Sequence, residues 1–168
     1  GQAMAVIVTK TKSLPRAEEF VSRLRREVPA LVSIMHNINP KRTNVILGQE
    51  THCLWGRSTI EDCIGKLSFA ISAQSFFQVH TAQADVLYQK ALEYADLNGN
   101  ETVIDAYCGT GTISLFLAQK AKKVYGIEIV APAIRDAKKN AQANHITNAE
   151  FLVGDAVEVM PRLYEQGV

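Results

Sequence analysis

Three carboxylates and two glycines in the second half of the chain have the spacing of a nucleotide-like ligand site. Asp105 precedes Gly109 and Gly111, Glu128 follows seventeen residues after the second glycine, and Asp155 comes after a further apolar run. Each acid lies at or just past the end of a predicted strand. Carboxyl ends of parallel strands meet at one edge of an open sheet, where ligands bind. We therefore expect these residues to face one site, with Glu128 accepting hydrogen bonds from a ribose and the glycines allowing close backbone approach.

The chemistry around these acids discriminates between nucleotide ligands. A nicotinamide or flavin site prefers a third glycine where this chain has Ser114, and it would place Asp105 beside a diphosphate. S-adenosyl-L-methionine carries an ammonium and a sulfonium and no phosphate, so an acid there is favourable. The pattern favours S-adenosylmethionine; a dinucleotide, or a βαβ unit that binds nothing, remain the alternatives. The chain contains no G-x4-G-K-[ST] motif, which argues against an NTPase.

The elements that must position these residues follow from periodicity. Strands alternate with helices after Asn98-Gly-Asn100, which predicts a parallel α/β sheet. The predicted strands are 101–105, 124–127 and 151–153, and the helices are 82–97, 112–121 and 132–144. We expect a Rossmann-like domain of the kind found in S-adenosylmethionine-dependent methyltransferases, truncated in this chain, over residues 76–168.

The front of the chain has a different pattern. Short β-branched runs predict strands at 5–9, 31–36, 43–47, 52–55 and 66–72, with a turn at 37–42. Leu14-Pro15 opens a helix that ends at Pro29. Residues 1–75 are therefore predicted to form a small, incomplete α+β module, with the boundary near residues 72–80.

Charge and composition limit the class of partner. Residues 1–72 carry ten basic and six acidic side chains, whereas residues 73–168 carry eight and eleven. The basic front half is compatible with RNA, although charge alone favours the simpler explanation, ordinary solvated faces. No apolar run approaches the roughly 20 residues that span a bilayer, so we expect a cytoplasmic protein without a membrane partner.

The cysteines and histidines predict no metal site. Cys53, Cys63 and Cys108 have no repeated short spacing, and the four histidines do not cluster. A disulfide framework and a zinc site are both unlikely on this pattern.

Longer motifs add a resemblance over nearly the whole chain. The sequence resembles the bacterial RNA uracil-5-methyltransferases, which form 5-methyluridine in 23S ribosomal RNA or transfer RNA, and is most similar to the ribosomal RNA branch of Gram-positive bacteria. The motifs that carry it are Asn39-Pro-Lys-Arg-Thr-Asn-Val-Ile-Leu-Gly48, Leu54-Trp-Gly-Arg57, Ser75-Phe-Phe-Gln-Val79, Val103-Ile-Asp-Ala-Tyr-Cys-Gly-Thr-Gly-Thr112, Val124-Tyr-Gly-Ile-Glu-Ile129 and Ala149-Glu-Phe-Leu-Val-Gly154.

The resemblance implies roles for particular residues. Gln78, Tyr107 and Glu128 correspond to contacts with S-adenosylmethionine, and Phe76 and Gln78 correspond to residues near an extruded uridine. An aromatic ring can stack on a flipped base and an amide can bind its edge. His80 stands where the family usually has asparagine, and we assign it no role.

The implied reaction needs a cysteine thiolate that adds to C6 of uracil and makes C5 nucleophilic, and a glutamate that later removes the C5 proton. Cys108 matches a cysteine that packs in the cofactor-binding turn, not the nucleophile. The family's nucleophile follows an Asp-Pro-Pro-Arg element that this sequence does not contain. We therefore expect an internal fragment with no catalytic residue of its own, whose first Rossmann strand, 101–105, has an unpaired edge prone to association. A non-catalytic S-adenosylmethionine- or RNA-binding module, or a nicotinamide oxidoreductase, are the alternative functions.

Overall fold

The structure is a computed structural model that describes residues 1–168 and divides into two compact units. The first unit comprises Gly1–Asp62 and Ser72–Gln74, and the second comprises Cys63–Ile71 and Ser75–Val168. None of the helices is long and apolar enough to cross a bilayer.

The first unit contains a three-stranded sheet with one covering helix. The strands are β1 (Ala3–Thr9), β2 (Leu31–Ile38) and β3 (Glu50–Gly56), and the helix is α1 (Ala17–Glu27). β1 and β2 run parallel and β3 is antiparallel to β2. Val21, Leu31 and Ile34 form its small core, and Arg25 lies over the ring of Trp55 with 4.1 Å between its guanidinium carbon and the ring centroid.

A two-stranded sheet follows, built from β4 (Thr59–Ile64) and β5 (Leu67–Ser72), and then the α/β part of the second unit. That part consists of α2 (Thr81–Ala95), β6 (Thr102–Asp105), α3 (Thr112–Ala118), β7 (Lys123–Glu128), α4 (Ala131–Ala143), β8 (Ala149–Val153) and α5 (Ala156–Glu165).

The second unit is the predicted Rossmann-like parallel sheet, in the order β6-β7-β8. β7 alternates between two cores: Val124 is buried with α2, α3 and α4 residues, whereas Ile127 packs with Ala156 and Leu163 of α5. Alternation follows from the two-residue period of a strand. β6 lies at one edge of this sheet, as expected for strand 101–105, and association through that edge stays a prediction.

Several sequence-based expectations differ from the structure. Residues 43–47 form no strand, and the predicted 37–42 turn begins later because Asn37 and Ile38 still belong to β2. β4 and α5 were not predicted. The α5 helix is hard to predict from sequence because it contains Pro161, and an interior proline usually ends a helix.

The predicted boundary also needs correction for one segment. Residues 63–71 were assigned to the front module, yet they pack with the second unit. Ile64, Leu67 and Phe69 are buried in the same core as Leu115 and Phe116. Their hydrophobic burial is what assigns the end of β4 and nearly all of β5 to the α/β unit.

Candidate functional site: the carboxyl edge of the parallel sheet

The three acids lie where the sequence predicted, at the carboxyl edge of the parallel sheet. Asp105 is the last residue of β6 and pairs in register with Gly126 of β7. Glu128 ends β7 opposite Val153 of β8, and Asp155 follows two residues later. The common direction of the strands therefore brings the ends that carry these acids to one edge.

Glu128 connects the glycine turn to the start of α4. Its Oε2 accepts a hydrogen bond from the backbone N–H of Gly109 at 3.2 Å, and its Oε1 accepts one from the N–H of Val130 at 2.9 Å. Each carboxylate oxygen has two lone pairs, so each retains an acceptor position after these bonds. The side chain is thus oriented by the backbone and can still bind a diol.

Asp105 is held from the opposite side of the turn. The Ser114 hydroxyl donates to Asp105 Oδ2 at 2.6 Å, and Ser114 is fully buried. Burial raises the pKa of Asp105, the Ser114 hydrogen bond opposes that rise, and the charge of Glu128 adds to it. Ser114 occupies the position of the third glycine in a dinucleotide site, and here it is the hydrogen-bond partner of Asp105.

The two glycines of the turn serve different purposes. Both have positive φ, +54° at Gly109 and +82° at Gly111, which disfavours residues with a Cβ. A Cβ on Gly111 would lie 2.9 Å from the Phe151 ring and 3.1 Å from Ala137 Cβ. A Cβ on Gly109 would meet no atom within 4 Å. Gly111 is needed for packing beneath the turn, whereas Gly109 leaves an open backbone face.

Tyr107 and Asp155 border a small cleft at this edge. Tyr107 is 79% exposed, and Asp155 caps α5 by accepting a hydrogen bond from the Val157 N–H at 2.9 Å. The cleft between them measures about 70 Å³. Ligand pockets usually measure roughly 300–1,000 Å³, so this cleft can hold only part of a nucleoside.

Cys108 lies within the turn but points into the protein. It is 5% exposed, and a Cβ on Gly126 would lie 2.9 Å from its Sγ. Burial, followed by the charges of Asp105 and Glu128, raises the pKa of the Cys108 thiol to about 12. A thiol is nucleophilic as its thiolate, so these properties disfavour Cys108 as a nucleophile.

A polar stripe along α4 and its C-cap, composed of Asp136, Asn140 and Asn144, holds the segment that precedes α2. The Asn140 side-chain oxygen, Oδ1, accepts from the Ala70 N–H at 2.8 Å, and the side-chain amide donates to the Thr110 carbonyl at 3.2 Å. The Asn144 side chain accepts from the Ser68 N–H at 2.9 Å and donates to the Ser68 carbonyl at 2.7 Å. The side chains of these two asparagines therefore bind backbone groups of β5 that would otherwise pair with a neighbouring strand.

The same stripe anchors the segment carrying the predicted uridine contacts. Asp136 accepts a hydrogen bond from the Ser75 hydroxyl at 2.8 Å. Beyond that anchor Phe76 is 75% exposed, Phe77 packs against the core, and Gln78 is half-buried. Sequence reasoning missed the stripe, although its i, i+4, i+8 spacing was visible as a signal.

His80 has a local structural role. Its Nδ1 accepts from the Gln83 N–H at 3.3 Å at the N-cap of α2. A histidine therefore fills the capping position where the sequence analysis assigned no role.

Comparisons agree with this architecture. Residues 97–168 match the family model described as a methyltransferase domain. Proteins named "Uncharacterized RNA methyltransferase" from Clostridium tetani and Bacillus cereus are 55% and 57% identical over all 168 residues. This chain spans only 36% of the length of either relative.

Solved structures give the same picture. The Pyrococcus abyssi tRNA (uracil-54, C5)-methyltransferase, in complex with S-adenosyl-L-homocysteine, is 28% identical with a TM-score of 0.71. That similarity covers 92% of this chain and 36% of the other. The M. jannaschii tRNA m1G37 methyltransferase shares the fold, with 18% identity and a TM-score of 0.56. That similarity covers 92% of this chain and 45% of the other. The second unit thus has the fold of a methyltransferase domain.

Proposed function

We propose that the full-length protein is an S-adenosylmethionine-dependent RNA methyltransferase that forms 5-methyluridine, with 23S ribosomal RNA as its substrate. The observation that carries this proposal is the Glu128 carboxylate bound to the Gly109 N–H beside an open backbone face. The names of the relatives support RNA as the substrate class. The uracil-C5 neighbour and the motif resemblance support the position of methylation.

The cofactor is S-adenosylmethionine, which supplies an electrophilic methyl group. Glu128 offers one free acceptor position on each oxygen, which suits the two ribose hydroxyls. Gly109 and Gly111 form the turn along which the cofactor lies, and Asp155 and Tyr107 border its outer part. Asp105 favours the ammonium group by its charge, and Gln78 adds a polar contact.

The uridine is contacted by the segment after Ser75. Phe76 has most of its ring in solvent, as a base-stacking aromatic requires, and Gln78 supplies an amide for the base edge. The bond between Ser75 and Asp136 fixes the start of this segment to α4. Residues 1–75 contribute RNA contacts through their excess of basic side chains, and residues 76–168 form the methyltransferase part.

The nucleophile that activates C5 is not among the three thiols of this chain. Cys108 is buried with a raised thiol pKa. Cys53 and Cys63 are exposed, but they lie on β3 and β4, away from the glycine turn in sequence. Because none of these three thiols is suited to act as the nucleophile, a second function is favoured for this chain by itself. It is that of a non-catalytic module that binds S-adenosylmethionine or RNA.

The test uses the full-length protein. Calorimetric titration with S-adenosylmethionine, S-adenosylhomocysteine and NAD should give binding for the first two alone. Incubation with unmodified 23S ribosomal RNA, followed by nuclease digestion and mass spectrometry of the nucleosides, should yield 5-methyluridine. Binding of NAD alone would favour the oxidoreductase alternative, and a methylated nucleoside other than 5-methyluridine would refute the proposed target atom.

A further inference from the structure

The first unit contains a cavity of about 710 Å³, within the volume range of small-ligand sites. It is enclosed by the chain just after β1, the end of β2, the 39–49 segment and the start of β3. Its lining includes Lys10, Lys12, Lys41, Val45 and Leu47. We call it the lysine pocket.

The wall of the pocket is organised although residues 39–49 form no helix or strand. Asn37 is fully buried; its side-chain oxygen accepts from the Gly48 N–H at 2.7 Å and its amide donates to the Gly48 carbonyl at 2.9 Å. The Asn39 amide donates to the carbonyls of Val45 and Ile46 at 2.8 and 2.9 Å. Two asparagines therefore satisfy backbone groups that a sheet would otherwise satisfy.

Gly48 makes this arrangement specific. A Cβ at that position would lie 1.9 Å from the Ile38 carbonyl oxygen, so no other residue fits without moving the backbone. The loop is consequently held against the end of β2. A pre-formed wall lowers the entropic cost of ligand binding.

The charge of the pocket indicates an anionic ligand. Three lysines line it, and the acidic side chain among the lining residues, Glu50, pairs with Lys12 at 2.9 Å. Lys10 and Lys41 are exposed beside the cavity. Once Lys12 is paired with Glu50, Lys10 and Lys41 remain as two positive charges at the pocket. Phosphate groups are suitable partners for these charges.

The remaining wall is apolar. Ile38, Pro40, Val45 and Leu47 all line the cavity, and Val45 is 65% exposed. A small inorganic anion needs no apolar wall, and a purely apolar ligand needs no lysines. A nucleotide carries both an apolar base face and an anionic phosphate.

We propose that the lysine pocket binds one unpaired nucleotide of the RNA substrate, with its base against Val45 and Leu47 and its flanking phosphates beside Lys10 and Lys41. This inference rests on the proposed RNA methyltransferase function and adds a second RNA-binding position on the first unit. Unpaired bases are the usual targets of specific RNA recognition because their faces are free to pack.

The test compares variants of the full-length protein by fluorescence anisotropy with a labelled single-stranded ribosomal RNA oligonucleotide. Lys10→Ala/Lys41→Ala should raise the Kd about tenfold and lower the salt slope of log K by about 1.4, since each single-strand phosphate contact contributes about 0.7. The charge-matched control, Lys120→Ala/Lys122→Ala on the second unit, should stay within twofold of wild type. Equal effects of the two pairs would overturn the pocket and indicate non-specific attraction.

A second pair of variants tests the apolar wall. Val45→Ser should weaken RNA binding several-fold, whereas Val86→Ser, at another exposed valine on α2, should not. S-adenosylmethionine affinity should be unchanged in all four variants. A free mononucleotide that binds the pocket as tightly as the oligonucleotide would overturn the assignment to RNA. If wild-type protein binds no RNA, the proposed function itself fails, whereas normal RNA binding by the Lys10/Lys41 variant refutes only the pocket.

Discussion

The Ser114 hydroxyl donates to Asp105 Oδ2 at 2.6 Å across the turn that joins β6 to α3. This bond is the side-chain contact that ties the first acid of the site to the helix after the glycines. It also explains why a serine occupies the position where dinucleotide sites place a glycine. The hydrogen bond from Ser114 opposes the rise in the pKa of Asp105 that burial and the charge of Glu128 cause.

Asp105 should make stability depend on pH. Because burial raises its pKa in the folded protein, the folded state binds its proton more tightly than the unfolded state. The resulting stabilisation is present below the unfolded pKa and is lost as pH rises through the folded pKa. Asp105→Asn should therefore gain stability relative to wild type as the pH rises above 3.8, the ordinary pKa of the carboxyl group, as measured by urea unfolding. A difference that is constant over this range would contradict the raised pKa.

Glu128→Ala should weaken S-adenosylmethionine binding, because the ribose hydroxyls lose a charged acceptor. Hydrogen bonds to charged groups contribute about 1.5–3 kcal/mol, which corresponds to a Kd about 10- to 100-fold higher. Calorimetry on the full-length protein measures the change. Glu150→Ala, which removes a carboxylate on β8 that pairs with Lys123 of β7, is the matched control. Equal affinity of the Glu128 variant and wild type would remove Glu128 from the site.

The two glycines of the turn should respond differently to alanine. Gly111→Ala combines positive φ with contacts below 3.2 Å, and overpacking costs about 1–3 kcal/mol in addition to backbone strain. Gly109→Ala should cost only about 1–2 kcal/mol from its left-handed backbone, but its methyl group would enter the open face and lower S-adenosylmethionine affinity. Thermal unfolding and calorimetry separate these effects. The prediction fails if Gly109→Ala is the more destabilising change.

Asn140→Ala should destabilise the second unit strongly. The Ala70 N–H and the Thr110 carbonyl would lose their partner, and each unsatisfied buried group costs about 1–3 kcal/mol. Gln142→Ala, at an exposed position on the same helix, should change stability by less than about 0.5 kcal/mol. Chemical denaturation of the full-length variants gives both values, and comparable effects would mean that the asparagine bonds contribute little.

The 168-residue chain by itself should transfer no methyl group to RNA. Without a thiolate at C6, C5 of uracil is a poor nucleophile, and binding alone does not create one. Tritium transfer from labelled S-adenosylmethionine to unmodified ribosomal RNA measures this directly. The background is the Cys108→Ala variant, and turnover above that background would show that Cys108 is the nucleophile.

The sequence predicted the α/β elements well because their periodicity is strong and local. The acids at the ends of β6 and β7 followed from strand boundaries alone. By contrast, residues 43–47 are rich in β-branched side chains but pair with no strand, and β2, which ends just before this segment, already pairs with β1 and β3. The carbonyls of Val45 and Ile46 accept from the Asn39 amide instead, and strand propensity does not report such a side-chain bond.

The spacing of the α4 stripe is visible in the sequence, but the partners of its side chains could not be predicted, for a related reason. Asn140 and Ala70 are 70 residues apart, and a buried asparagine in a helix looks like a surface residue until its partner is known. Likewise, the packing of Ile64 and Phe69 with the second unit depends on the three-dimensional path of the chain. Local periodicity identifies elements, whereas these pairings are decided by the tertiary fold.

The path of the chain through its two units limits how the protein can be cut into pieces. Residues 63–71 belong to the second unit, 72–74 return to the first, and the remainder belongs to the second again. An expression start at residue 75 or at 97, where the methyltransferase match begins, would remove β5 and leave the amides of Asn140 and Asn144 without Ala70 and Ser68. A start before β4 keeps the two-stranded sheet of β4 and β5, so a piece that preserves these bonds must begin well upstream of residue 97.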